Sequence, residues 1–167
     1  MHTLAIAKAQ MNDLPQILEI YAYARRFMKE NGNASQWKDD FPPKDLLMND
    51  IKAGNLYVIR KGNAIHAVFA FLIGAEPSYS VIEQGEWLSD AEYGTLHRVA
   101  ADGTVHGMFD RMVAFCSQKI DHLRIDTHKD NKVMQHLICK NGFQECGIIY
   151  VADGSPRIAY EKDRIQG

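Results

Sequence analysis

Residues 96–116, LHRVAADGTVHGMFDRMVAFC, constrain the fold more than any other part of the chain. An alternating strand pattern over Gly94–Ala101 passes through one short turn, Asp102–His106, into a helical pattern over Gly107–Lys119. A second strand follows at His122–His128. Two strands joined by a single crossover helix lie parallel in one sheet, because the helix packs back onto that sheet in only one way. The first amides of such a helix have no intrahelical partner, and with the helix dipole they form an anion site. Gly107 lets a ligand approach the backbone with no Cβ in the way. A tight strand–helix turn without any ligand accounts for the same glycine.

Around this unit, Thr3–Ala9 reads as a strand. A helix runs from Leu14 to about Lys29, with Pro15 in its first turn. A loop carrying Trp37 and Phe41 leads to a shorter helix, Lys44–Ala53, stopped at Gly54. Asn55–Arg60 and Ala64–Ala75 form a hairpin. Glu76–Glu92 reads as a loop or an irregular strand end. Asn131–Lys140 is a helix closed by Asn141–Gly142, and Phe143–Val151 and Arg157–Lys162 are strands joined by the turn Asp153–Pro156. The order β-α-α-β-β-β-α-β-α-β-β predicts an α/β fold: a mixed central sheet flanked by helices on both faces. With 167 residues and no repeat or linker, a single domain over 1–167 is expected.

Several classes are disfavoured. A formal net charge of −2 offers no basic patch for nucleic acid. No apolar run is long enough to span a bilayer. The start, MHTLAIAKAQMNDLP, lacks the basic and apolar regions of a signal peptide, so a cytoplasmic protein beginning at Met1 is expected. Cys116, Cys139 and Cys146 are odd in number and form no CxxC pair, which points to reduced thiols. The seven histidines show no recognisable ligand spacing, so no metal is expected.

The element order and two motifs resemble the GNAT family of N-acetyltransferases over nearly the whole chain. That family carries (Q/R)xxGx(G/A) between its fourth strand and third helix. The matching run is Thr104-Val105-His106-Gly107-Met108-Phe109, which keeps the central glycine. Thr104 replaces Gln or Arg, and Phe109 replaces the small residue. The second motif, NxxAxxxYxxxGF, is matched by residues 131–143, with Asn131, Gly142 and Phe143 in register. Met134 replaces the small residue and Ile138 the tyrosine. HRVA, residues 97–100, is similar to the family's fourth strand.

The resemblance implies an acyl-CoA-dependent N-acyltransferase. Acetyl-CoA is the implied donor cosubstrate, a primary amine the acceptor, and direct transfer in a ternary complex the mechanism. It implies that backbone around His97 and Val99 pairs with the pantetheine arm. Amides of Val105, His106, Gly107, Met108 and Phe109 would cradle the pyrophosphate, and Asn131 would lie beside the cofactor. Strands 94–101 and 122–128 would splay to leave the thioester cleft. Many members protonate the leaving thiolate with the tyrosine that Ile138 replaces, so no acid is available from that position. Cys139 points about 100° away from it on the helix and reads as a small buried hydrophobe. A catalytically weak or inactive GNAT-like CoA-binding module is the alternative reading, and a structural domain without a cofactor is a third. From charge and hydropathy no nucleic-acid or membrane partner is expected, and a homodimer is left open.

An attacking amine is protonated near pH 7, so a group must take its proton. His97 is the first candidate for this catalytic base, since histidine titrates in the right range; a histidine packed inside the sheet is the ordinary alternative. Period two places His122, Arg124, Asp126 and His128 on one side of their strand. There they line a wet cleft or form an internal Arg124–Asp126 network. By the resemblance, acceptor contacts come from the first two helices and the loops beside the splayed strands. Those regions hold Trp37, Phe41, Tyr79, Trp87 and Tyr93, with Glu76, Glu83, Glu86, Asp90 and Glu92 near in sequence. Aromatics and carboxylates suit a cationic amine. Alternatively the aromatics anchor long loops and the acids are solvated.

Overall fold

The computed structural model describes residues 3–163; Met1, read above as the first residue of the mature protein, lies outside them. The chain runs β1 (Leu4–Lys8), α1 (Leu14–Glu30), α2 (Lys44–Ala53), β2 (Leu56–Lys61), β3 (Ala64–Ile73), β4 (Gly94–Ala101), α3 (Met108–Ser117), β5 (His122–Thr127), α4 (Lys132–Lys140), β6 (Gln144–Tyr150) and β7 (Pro156–Asp163). This is the element order read from the periodicities. The seven strands form one sheet in the order β1-β2-β3-β4-β5-β7-β6. Its neighbours are antiparallel except β4 and β5, the pair joined by the α3 crossover.

Alternation along the strands divides the core in two. Ile59, Phe69, Leu96, Leu123 and Ile125 face α3 and α4, where they meet Met112, Val113 and Ile138. Val58, Val68 and Ala70 face the other way, onto Ile17, Tyr21, Leu47 and Ile51 of α1 and α2. Each large side chain so buried contributes about 1.5–3 kcal/mol. Helix α3 begins at Met108 rather than Gly107, because Gly107 has φ 77° and caps the helix from the left-handed region.

Strands β4 and β5 are paired only at Gly94–Leu123 and Thr95–Arg124. Beyond that point β4 bulges. Ala70 of β3 faces His97 and Val68 faces Ala100, so Arg98 and Val99 together stand opposite Phe69. Arg98 has φ 50°, a conformation that costs a side-chain-bearing residue about 1–3 kcal/mol. Two helices hold it there. The Tyr21 hydroxyl of α1 donates to the Arg98 carbonyl at 2.6 Å, and Arg98 Nε donates to Asp50 Oδ2 of α2 at 2.9 Å.

The segment between β3 and β4 packs on the sheet through one wholly buried carboxylate. Glu161 accepts from Arg124 Nε at 2.8 Å, from His122 Nε2 and from the Leu88 amide. The Arg124 guanidinium lies between the Trp87 and Tyr93 rings, 3.9 Å from each centroid. The expected Arg124–Asp126 network is therefore not formed. Glu161 stands directly opposite Arg124 in the β5–β7 ladder, and a facing cross-strand partner is closer than a residue two along the same strand. Truncating Glu161→Ala leaves two buried donor side chains without their acceptor. It should cost about 3–5 kcal/mol, read as a lower urea midpoint at unchanged m; a loss under about 1 kcal/mol would show that this carboxylate does not hold the segment down.

Candidate active site

Where β4 leaves β5, the sheet opens into a cleft of about 1310 Å³. Sites for one small ligand occupy about 300–1,000 Å³, so this cleft has room for two. Past Thr95, the edge of β4 that faces β5 has no ladder partner among the described residues. Its N–H and C=O groups are available to an extended ligand lying alongside as an added strand.

One end of the cleft is built from backbone. Val99, Val105, His106, Gly107, Met108, Phe109 and Asn131 all line it. Asp102 fixes the turn before α3 by accepting from the Thr104 amide and hydroxyl and from His66. A Cβ at Gly107 would meet only the Asp110 carboxylate, at 4.0 Å, so the space before the first α3 amides is open. Met108 and Phe109 bury their side chains in the core, and only their backbone is left to serve a ligand. Free amides, an open approach and Lys140 on the lining form a donor set that fits a diphosphate.

Asn131 is tied up structurally. Its Oδ1 caps α4 by accepting from the Met134 amide, and its Nδ2 donates to Gln36 Oε1, both at 3.0 Å. Met134 and Leu137 turn towards the cleft, while Ile138 is wholly buried in the core. Cys139 is exposed, not buried as expected: with Ile138 directed inward, the next residue falls on the outer face of α4.

The other end carries ionisable side chains. His97 lines the cleft, and its Nε2 lies 3.2 Å from Glu76 Oε2. The hydrogen bond from His97 holds the Glu76 carboxyl down to about 2. An ionised carboxylate only accepts, so Nε2 carries the proton. Neutral His97 then presents its lone pair on Nδ1, which has no partner among the described residues. Asp126 is half-buried and accepts from the Tyr79 hydroxyl at 2.7 Å; burial raises its carboxyl above the usual range. Trp37 lines this end, packed against Tyr21 and Phe41.

Tyr79, Trp87 and Tyr93 do not line the cleft. Tyr79 supports Asp126 from behind, and its carbonyl accepts from the Trp87 indole at 2.9 Å. Trp87 and Tyr93 hold Arg124 between them. Their segment packs on the sheet instead of over the opening. Of the acids once grouped with them, Glu76 lines the cleft, while Glu83 accepts from the Tyr150 hydroxyl elsewhere. Arg157 went unnoticed in the sequence. Period two along β7 sets it on the face of Glu161, and that pattern could have found it. The His97–Glu76 pair spans 21 residues and leaves no local signal.

The Glu76 carboxyl is depressed from 4.5 to about 2 on folding. It therefore stabilises the fold fully above pH 4.5, and that contribution is lost as pH falls through about 2. Glu76→Gln should flatten the acid side of the stability–pH curve over this window. A variant with the wild-type slope there would show that the His97–Glu76 bond does not form in solution.

No protein-family model matches the chain, and no curated protein matches it in sequence. Solved structures do match. An acetyltransferase of the GNAT family from Streptococcus agalactiae is 29% identical, with a TM-score of 0.87 over 96% of this chain and 95% of that one. A GNAT family acetyltransferase from Listeria monocytogenes is 18% identical, with a TM-score of 0.70 over 96% and 94%. An agmatine N-acetyltransferase is 11% identical, with a TM-score of 0.64 over 96% and 99%; at that identity the likeness is one of fold. The chain has the GNAT fold, and its structural neighbours over nearly its full length are acetyltransferases of that family.

Proposed function

We propose that this chain is an acyl-CoA-dependent N-acyltransferase, carrying an acetyl group from acetyl-CoA to a primary amine by direct transfer in a ternary complex. One observation carries this reading: the cleft opened by the β4 bulge joins an amide-lined end to an end with an oriented imidazole. The bound thioester supplies an activated acyl carbon. The unpaired edge of β4 holds an extended ligand and offers N–H donors to the acyl carbonyl. Amides at the start of α3 take the diphosphate. Glu76 fixes the His97 tautomer, so that Nδ1 is the atom that takes the proton of the amine, directly or through water.

A thiolate of this type leaves readily, so the absence of a tyrosine at Ile138 is no obstacle. An acyl-cysteine route has poor support. Burial pushes the Cys116 and Cys146 thiols up to about 12 and about 11. Cys139 is exposed and off the cleft. Among the described residues no helix is long and apolar enough to cross a membrane, and we place the reaction in the cytoplasm.

The reading is tested by free-thiol release from acetyl-CoA across a panel of amines. CoA binding with no release for any amine would select a binding module instead. Two variants test the parts. Asparagine tolerates the left-handed region, so Gly107→Asn should fold normally while filling the space before the α3 amides; CoA affinity should fall about tenfold or more. Equal affinity in calorimetry would remove the diphosphate from this turn. His97→Gln should lower the rate about a hundredfold and alter the acidic limb of kcat/KM, with CoA affinity retained and any loss of Tm no larger than that of Glu76→Gln. Lowered Tm with a normal rate would make His97 structural.

A further inference from the structure

Strand β7 starts on the lining of the cleft. Its second residue, Arg157, lines the cleft and is only 7% exposed. A guanidinium so buried needs groups that answer its charge. Two of its five N–H donors find backbone carbonyls: Nη1 donates to Pro156 at 2.9 Å and Nη2 to Gln36 at 3.3 Å. The other three have no hydrogen-bond partner among the described residues. Among the described residues no carboxylate pairs with Arg157 directly; Asp126 and Asp153 act on it through space, while burial works against its charge. A planar fork with free donors at the wall of a cleft is the arrangement that a carboxylate satisfies bidentately.

A complementary set of groups lies beside it. In the β5–β7 ladder Asp126 stands opposite Ala159, two residues from Arg157. Asp126 and Arg157 are thus diagonal neighbours on one face, about 7–8 Å apart along the backbone. Asp126 Oδ2 accepts from Tyr79, and Oδ1 has no hydrogen-bond partner among the described residues. Asp126 also feels the charge of His97. His97, Asp126 and Arg157 therefore give the lining a base, a carboxyl group with one free oxygen and a cation.

We propose that the acceptor is a free amino acid, its carboxylate held by the Arg157 guanidinium and its amine directed to Asp126 and His97. This rests on the acyltransferase reading above. In the transfer, the amine nitrogen forms the new C–N bond to the acyl carbon. His97 takes one proton of the ammonium so that the neutral amine attacks; the C–S bond breaks with its electron pair leaving on sulfur, and the second proton lost from nitrogen goes to that thiolate or to water.

The test is thiol release from acetyl-CoA with amino acids, each compared with its own amide and its decarboxylated amine. The wild-type protein should prefer the acid by about ten- to a hundredfold in kcat/KM. In Arg157→Gln that ratio should fall to near one, and Arg157→Lys, which keeps the charge but loses the fork, should lie between. The ratio is internal to each protein, so a general loss of activity does not affect it. Equal use of acids and amides by the wild type, or a preference kept in folded Arg157→Gln, overturns the inference and leaves the acyltransferase reading standing. No transfer to any amine overturns both.

Discussion

The grip of two helices on one strained residue is what the rest of the molecule depends on. Arg98 sits at φ 50° in the middle of a strand, where an unbranched ladder would otherwise continue. Tyr21 takes its carbonyl and Asp50 its guanidinium, so α1 and α2 restrain both ends of the residue. Neither contact would be worth making for stability alone, given the cost of the backbone conformation. Together they turn β4 away from β5 after two pairs of residues. The cleft and its unpaired backbone edge follow from that turn.

A buried and a half-buried carboxylate play contrasting parts in this half of the molecule. Glu161 is saturated: a guanidinium, an imidazole and a backbone amide all point at it, and nothing is left for a ligand. The result is a loop clamped to the sheet away from the cleft, with Arg124 held by Trp87 and Tyr93. Glu76 has a looser environment, with His97 and the Ser78 amide as its partners, and it faces the cleft. The first arrangement fixes a loop, and the second leaves a proton-accepting nitrogen free.

The fold was legible in the sequence because strand and helix periods change at clear turn residues. The element order follows from them, as does the parallel pairing forced by a single crossover helix. Gly107 was legible as a local signal, a glycine before a helix, whereas Asn131 stood out only through the family motif and its capping of α4 is seen in the structure. The side-chain end of the cleft was harder. Tyr79, Trp87 and Tyr93 have the composition of a binding surface, but their positions are decided by Arg124 and Asp126, which come much later in the chain. The Arg124–Asp126 network, one of two readings of that strand face, does not form because the acid that answers Arg124 lies on a different strand. Such pairings depend on register between distant segments, and a single sequence carries little record of register.

The strand order places β7 between β5 and β6, so the joint of the sheet is made by a segment that comes after both of its neighbours in sequence. Until β7 arrives, β6 has no ladder to join and β5 has a bare flank. Glu161 and Arg157 travel on that same strand. Assembly of this half of the protein is consequently governed by contacts distant along the chain, the regime in which folding is slow. A fragment that stops short of residue 156 would lose the strand that joins β5 to β6, along with part of the cleft lining. Such a fragment would expose two unpaired strand edges, the surfaces through which chains aggregate.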